Sequence, residues 1–378
     1  MKFSYFDNAA TTRVDEEVLQ IYRTYNEVFY FNPSANYRPA VEVHNRVAEA
    51  RKKMLKLLKG YGGNLFFLSS GTEGDNQALF GSKKRKNANV VISAAEHPAV
   101  FNAANALKNN GYDLRVCPVD GLGRVIESEF RSLIDQNTAL VSVMHVNNET
   151  GAINDISSLV KVAKLINSEV LFHSDGVQAF GKIPVNLSEL GVDYYTISGH
   201  KIGAPKGIAA LYVAKEVGIA PLIFGGGQEN GVRSSTENVG GILSFAHAAD
   251  RANAELSQNQ IKYRDFIAVL RRKLSVIEEI KYLSDENCSP HIFTFAFRSV
   301  RGEVLQHALE EEGYLVGTGS ACSARRSHDR IPKALGLKEY ADGVLRVSFG
   351  RENGIEEVEG LANAILKNYE ILKKYVGR

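Results

Sequence analysis

The stretch from Phe172 to Gly207 opens on FHSDGVQ (172–178) and closes on SGHKIGAPKG (198–207), and its two ends decide the fold. Asp175 and Gln178 follow an apolar strand at 170–172, while Ser198, His200 and Lys201 follow a second at 194–197. An acid, an amide, a hydroxyl, an imidazole and an amine thus fall just past strand ends, where open α/β sheets bind their ligands. Pyridoxal phosphate asks for such a set: a lysine for its Schiff base, and an acid that keeps the pyridine nitrogen protonated so that the ring can draw in electrons. Lys201 and Asp175 are the candidates. Taken alone, a lysine in a glycine-rich loop reads as a solvated surface charge. Its partners change that reading.

Upstream, a buried strand at 65–68 opens onto SSGTEGDN (69–76), with a helix expected from about Asn76. Free N–H groups at a helix start, with glycine allowing close approach, make a natural phosphate site, placed here at Gly71 and Thr72 with Ser198 and His200 as further donors. A plain helix cap is the other reading. A strand at 90–92 leads into EHPAV (96–100), where Pro98 suits a first helical turn. His97 is held at that junction, either to stack on an aromatic cofactor and move protons or simply to cap the helix. Further strands at 114–116 and 140–144 precede HVNNETG (145–151), whose Asn148 lies at a strand end within reach of a ligand. Repeated strand and helix through Val213 predict a mainly parallel, doubly wound sheet.

The glycine-rich run FGGGQENGVRSSTENV (224–239) is too polar for core and reads as a linker or as a loop reaching a site, its own or a second subunit's. From about Ser257 the pattern changes to that of a smaller α+β unit. The expected division is a large domain over 15–257 and a small one built from 1–14 and 258–378. Near the amino end, Val41, His44, Val47, Ala48, Arg51, Leu55 and Leu58 carry helical spacing, with His44 at the boundary of the apolar face.

The chain's 378 residues are 44% apolar and 23% charged, with a formal charge of only +2, which gives no reason to expect nucleic acid or an anionic membrane as partner. No apolar run reaches the length of a membrane span, and the start MKFSYFDNAATT has no signal-peptide core, so a cytoplasmic protein is expected. Cys117, Cys288 and Cys322 have no CxxC spacing, so no structural metal or disulfide framework is expected. Cys117 reads as a strand-end core residue. Cys322 differs, because GTGSACSARRSHDRIP (317–332) sets it among small residues and near Arg325, Arg326 and His328. Nearby cations favour a thiolate, and the composition predicts a mobile loop that could swing a thiol towards a site; an incidental surface cysteine is the bland alternative. Arg346, among apolar residues in LRVSFG (345–350), needs an anion: a substrate carboxylate held by two parallel bonds, or an internal carboxylate.

Together the motifs DNAATT, NPSA, SSGTEGDN, EHPAV, HVNNETGAI, FHSDGVQ, SGHKIGAPKG, GGGQENGVRSSTENV, GSACS and LRVSFG resemble, in order and across nearly the whole chain, the cysteine desulfurases of the NifS/IscS type. These form part of the class V aminotransferase group of fold-type I pyridoxal phosphate enzymes. The resemblance implies Lys201 as the Schiff-base lysine and proton shuttle, His97 stacked on the ring, Asp175 as partner of the pyridinium and Gln178 as donor to the phenolic oxygen. It implies Thr72, Ser198 and His200 at the phosphate, joined by Thr236 from the other subunit of a homodimer. Asn148 and Arg346 would bind the carboxylate of L-cysteine, and Cys322 would take its sulfur as a persulfide, releasing alanine. A sulfur-acceptor protein, either an iron–sulfur scaffold or a thiolation protein, is the further partner implied. The chain departs from the family pattern at Tyr37, Gly203, Ala204 and Ser235 and in the residues after Cys322.

A desulfurase alone uses both the cofactor constellation and Cys322. A related lyase or aminotransferase, acting on selenocysteine or cystine, would not need Cys322. A non-catalytic sulfur carrier or assembly partner is the reading from another class, against which Lys201, Asp175 and His97 together argue.

Overall fold

The strand-forming runs from residue 64 to residue 213 enter one sheet, and all but the partly exposed run at 113–117 are covered on both faces, which is why they are continuous rather than alternating. The computed structural model describes residues 3–82, 85–318 and 330–375. A short strand β1 (Ser4–Phe6) and the helices α1 (Glu16–Glu27) and α2 (Arg38–Leu57) come first. The sheet then takes β2 (Asn64–Leu68), β3 (Asn89–Ser93), β4 (Asp113–Cys117), β5 (Thr138–Ser142), β6 (Leu171–Asp175), β7 (Tyr194–Ser198) and β8 (Ala209–Val213). Between them lie α3 (Gly71–Gly81), α4 (Pro98–Asn109), α5 (Glu127–Leu133), α6 (Ile156–Ile166) and α7 (Leu187–Leu190).

Across the sheet the order is β2-β8-β7-β6-β5-β3-β4. Only β8 runs against its neighbours in this sheet, pairing antiparallel with β2 and β7, so the fold is the expected mainly parallel one. The chain steps outward from β3 to β4, then returns to β5 and continues through β6 and β7 the other way. Strand order therefore reverses between β3 and β5, the place where α/β sheets leave a crevice at their carboxyl ends.

The remainder comprises α8 (Val239–Ala254), α9 (Leu256–Leu274), β9 (Lys281–Tyr282), β10 (Ile292–Ala296), α10 (Gly302–Glu311), β11 (Tyr314–Val316), α11 (Arg330–Ala334), β12 (Val344–Ser348) and α12 (Ile355–Lys373). β12, β10 and β9 form an antiparallel sheet, and β1 pairs in parallel with β11. One apolar cluster draws its buried residues from Val18 to Ala249. Another takes Phe6 together with residues from Tyr263 to Tyr369. Leaving β1, the DNAATT segment crosses to the large sheet, where Thr12 N–H donates to His200 O at 2.9 Å and Gly203 N–H to Thr12 Oγ1 at 2.8 Å. Among the described residues no helix is long and apolar enough to cross a membrane.

Two local readings are corrected. Helix α3 begins at Gly71, not near Asn76, because Ser70 is an N-cap whose side chain accepts from Glu73 N–H at 3.1 Å, while Glu73 turns back to Ser69 N–H at 2.7 Å. In α2 the buried face is Ala40, Val43, Val47, Ala50 and Met54, and Val41 faces out with His44. Both sets carry helical spacing, and the set from Ala40 to Met54 is the one covered, as α2 makes one of its more extensive helix contacts with α8.

Candidate active site

Asp175 ends β6 and is buried, its Oδ1 accepting from Val177 N–H at 2.9 Å. His97 follows β3 and Asp75 lies on α3; one ligand atom from each of Asp75, His97 and Asp175 lies within 4.8 Å of the others. Burial pushes the Asp175 carboxyl above its ordinary range, opposed by His97 and Lys201. Burial likewise lowers His97, opposed by Asp175. Each favours the charged form of the other, and an added cation would favour ionised Asp175 further. The capping reading of His97 also holds, since its Nδ1 accepts from Ala99 N–H at 3.2 Å, which leaves Nε2 as the nitrogen that can carry a proton in the neutral ring.

Lys201 lies in the short 3-10 turn after β7, Gly199–Lys201. Its Nζ donates to the carbonyls of Ala9 at 2.5 Å and Ala10 at 2.8 Å, so the DNAATT segment receives the amine. Gln178 is buried, donating from Nε2 to the same Ala9 carbonyl at 2.8 Å. Ser198 closes β7, and His200 Nδ1 meets Thr11 Oγ1 at 3.1 Å. The His200 ring is held down to about 4 by burial and by Lys201, Lys206 and His97, so it offers a neutral ring. Gly71 stands at the start of α3, where a Cβ would come within 2.9 Å of Val177 Cγ2 and 3.6 Å of Ser198 Cβ. Only glycine keeps that approach to the helix N-terminus open.

Arg346 lies on β12, buried, and takes an internal carboxylate: Nη2 pairs with Asp7 Oδ1 at 2.7 Å, while Nη1 donates to Asn148 O at 2.8 Å and lies 3.9 Å from Glu149 Oε2. Asn148 is thus brought beside Arg346, though its side chain donates to Glu149 Oε1 at 3.0 Å. Thr72 is exposed on the first turn of α3, and Thr236 is exposed in the 224–239 segment. Cys322, Arg325, Arg326 and His328 lie outside the described residues. The other two cysteines are poor nucleophiles, since burial pushes the Cys117 and Cys288 thiols up to about 12.

Sequence reasoning passed over Asp7, Asp75, the Ala9 and Ala10 carbonyls and His291. Asp7 meets an arginine 339 positions away, which no local pattern announces. For Asp75 a signal existed: once Ser70 is seen as the cap, an acid four residues into α3 points back along the helix towards the sheet.

A mainly parallel sheet with an acid, an imidazole and a lysine gathered at its carboxyl ends defines an α/β protein of the pyridoxal phosphate fold-type I architecture. Comparison with known proteins agrees and is more specific. The chain belongs to the family described as aminotransferase class-V, whose model matches residues 4–361. A protein of Dictyoglomus turgidum named cysteine desulfurase IscS is 36% identical over 357 residues, covering 92% of this chain and 89% of its own length. A solved structure described as a NifS-like protein superposes with a TM-score of 0.90 at 34% identity, covering 98% of this chain and all (100%) of that one. Another, described as SspA in complex with cysteine, gives 0.75 at 26% identity, covering 91% and 98%.

Proposed function

We propose that this chain is a pyridoxal phosphate-dependent cysteine desulfurase, converting L-cysteine to L-alanine and holding the sulfur as a persulfide on Cys322 for an acceptor protein. The observation that carries the reading is the meeting of buried Asp175 with half-buried His97 at the strand ends, with Lys201 close enough to act on both. The residues fit the cofactor: Gly71, Thr72, Ser198 and His200 would hold its phosphate, Asp175 its ring nitrogen, His97 its ring face and Gln178 its phenolic oxygen. When bound, pyridoxal phosphate supplies a sink for charge developing at the substrate's α-carbon.

The chain's own groups would do the rest. Asn148 and Arg346 orient the substrate carboxylate, for which Arg346 would share or exchange Asp7. Lys201 Nζ removes the α-proton and later returns a proton to carbon. Cys322, as thiolate, forms a bond to the substrate sulfur as the bond between that sulfur and the β-carbon breaks. The electron pair stays with carbon, which is protonated and leaves in alanine, so sulfur moves without an external oxidant.

The reading extends to a homodimer, supported by the exposed run Leu222, Ile223 and Phe224, the last 82% exposed, beside the segment that carries Thr236. In the dimer Thr236 would reach the partner's phosphate site. It also extends to a division into 15–257 and 1–14 with 258–378, supported by the two separate apolar clusters. A persulfide carrier suits a reducing compartment, here taken as the cytoplasm. The acceptor would be an iron–sulfur scaffold or a thiolation protein.

The test is alanine and sulfide release from L-cysteine with pyridoxal phosphate and a reductant, comparing wild type with Cys322→Ala. Both products from wild type, and a loss of about a hundredfold or more in the variant, are expected for removal of a nucleophile. Equal rates would replace the reading with a lyase that does not need Cys322.

A further inference from the structure

His291 stands immediately before β10, 1% exposed, and Gln178 follows β6, 5% exposed. Three hydrogen bonds join them into a chain between the two apolar units. Gln178 Nε2 meets Ala9 O at 2.8 Å, Gln178 Oε1 meets His291 Nε2 at 3.2 Å, and His291 Nδ1 meets Ser289 Oγ at 2.8 Å. The directions of these bonds follow from one fact: a carbonyl can only accept. The amide group facing Ala9 O must therefore be the NH₂, which leaves oxygen facing His291. That oxygen also only accepts, so the hydrogen between them belongs to His291 Nε2. A neutral imidazole carries one such hydrogen, so Nδ1 is bare and the Ser289 hydroxyl donates to it. A second proton on the ring is opposed by burial first, then by Lys182, Lys201 and Arg346, the cations that act on it.

We propose that His291 is a positioning residue, whose Nε2–H locks the Gln178 amide with its NH₂ directed at Ala9 and at the phenolic oxygen of the cofactor. This rests on the pyridoxal phosphate reading of the site. An amide has two hydrogens on nitrogen; Ala9 takes one, and the other serves the cofactor oxygen. The reversed amide would set its oxygen against two acceptors, which repel it. Ala9 O also accepts from Lys201 Nζ at 2.5 Å, so the same carbonyl registers both the amide and the amine. His291 thereby carries the placement of β10 into the cofactor site without touching the reacting atoms.

The experiment compares holoenzyme forms of wild type, His291→Gln and His291→Leu. Glutamine can offer an N–H near the position of Nε2; leucine fills space but cannot donate. His291→Leu is expected to move the pH midpoint of the bound cofactor's visible absorbance by about one unit, since one hydrogen bond to the phenolic oxygen loses its orientation. Its kcat should fall about tenfold with KM within about threefold, and His291→Gln should recover most of both effects. In a Gln178→Leu background the leucine change should add less than about twofold, because its route is gone. Nitrogen NMR of the wild-type holoenzyme should find His291 protonated at Nε2 and not at Nδ1, a readout that needs no variant to fold. The inference is overturned by the Nδ1 tautomer, by a wild-type spectrum in His291→Leu, or by equal losses in the leucine and glutamine forms. Wild type that takes up no pyridoxal phosphate overturns the proposed function itself, and the inference with it.

Discussion

At the scale of the residue, Lys201 shows how a group gains its role from company. Its amine is gathered by two carbonyls of the DNAATT segment while Asp175 and His97 stand close enough to feel its charge. A solvated surface lysine would have none of these neighbours. Lys201→Ala should therefore abolish the visible absorbance that wild type acquires with pyridoxal phosphate, and lower alanine release by about a thousandfold or more, since linkage to the cofactor and proton transfer go together. The check is a spectrum of the purified variant after cofactor is added. A normal visible band, supplied for instance through Lys206, would refute the assignment. Arg346 teaches the complementary lesson. Sequence reading required an anion for it and left two choices open; the structure gives it Asp7, an internal acid, at 2.7 Å. A substrate carboxylate must then compete with that partner.

At the scale of the element, the sheet was legible and the start of α3 was not. Runs such as NVVIS and NLFFL are buried nearly throughout and bounded by polar turns, so their existence could be read directly, though not their order across the sheet. The first turn of α3 was hidden because its two glycines argued against helix, whereas Ser70 and Glu73 had already fixed the turn by capping. The constellation at the strand ends was legible for a related reason: parallel order brings successive carboxyl ends to one side. What could not be read was long-range pairing, as between Arg346 and Asp7 or Gln178 and His291, because side chains far apart in sequence leave no periodic trace. The corrected helix start sharpens one expectation. Gly71→Ala puts a Cβ 2.9 Å from Val177 Cγ2, at the mouth of the helix N-terminus. Cofactor affinity should fall about tenfold, measured by titration of the absorbance, as the neighbour is forced towards the phosphate position. Val177→Ala in the same chain should restore much of it. An unchanged affinity in Gly71→Ala would move the phosphate elsewhere.

At the scale of the whole molecule, buried titratable groups set how stability answers to pH. Burial holds His145 down to about 4 and His173 to about 3, so both are neutral in the fold and take up protons on unfolding below the ordinary histidine range. Their contribution is complete above about pH 6.5 and is lost as pH falls towards those folded values. Glu96 works in the opposite sense: burial raises it to about 8, so its contribution is present below the ordinary glutamate range and lost as pH rises to that value. Asp75 and Asp175 are raised as well, so the total curve is a sum of opposed slopes. A difference between two chains isolates one of them. His145 is suited to this, because its ring meets Tyr195 Oη at 2.8 Å and a glutamine can keep a polar contact there without titrating. Urea denaturation of wild type and His145→Gln at pH 7, 5.5 and 4 should find the advantage of wild type shrinking by up to about 3 kcal/mol over that range, the cost of keeping one histidine neutral across the window from about 6.5 to 4. A difference that stayed constant with pH would mean that His145 keeps its ordinary histidine pKa in the fold, its burial being fully offset.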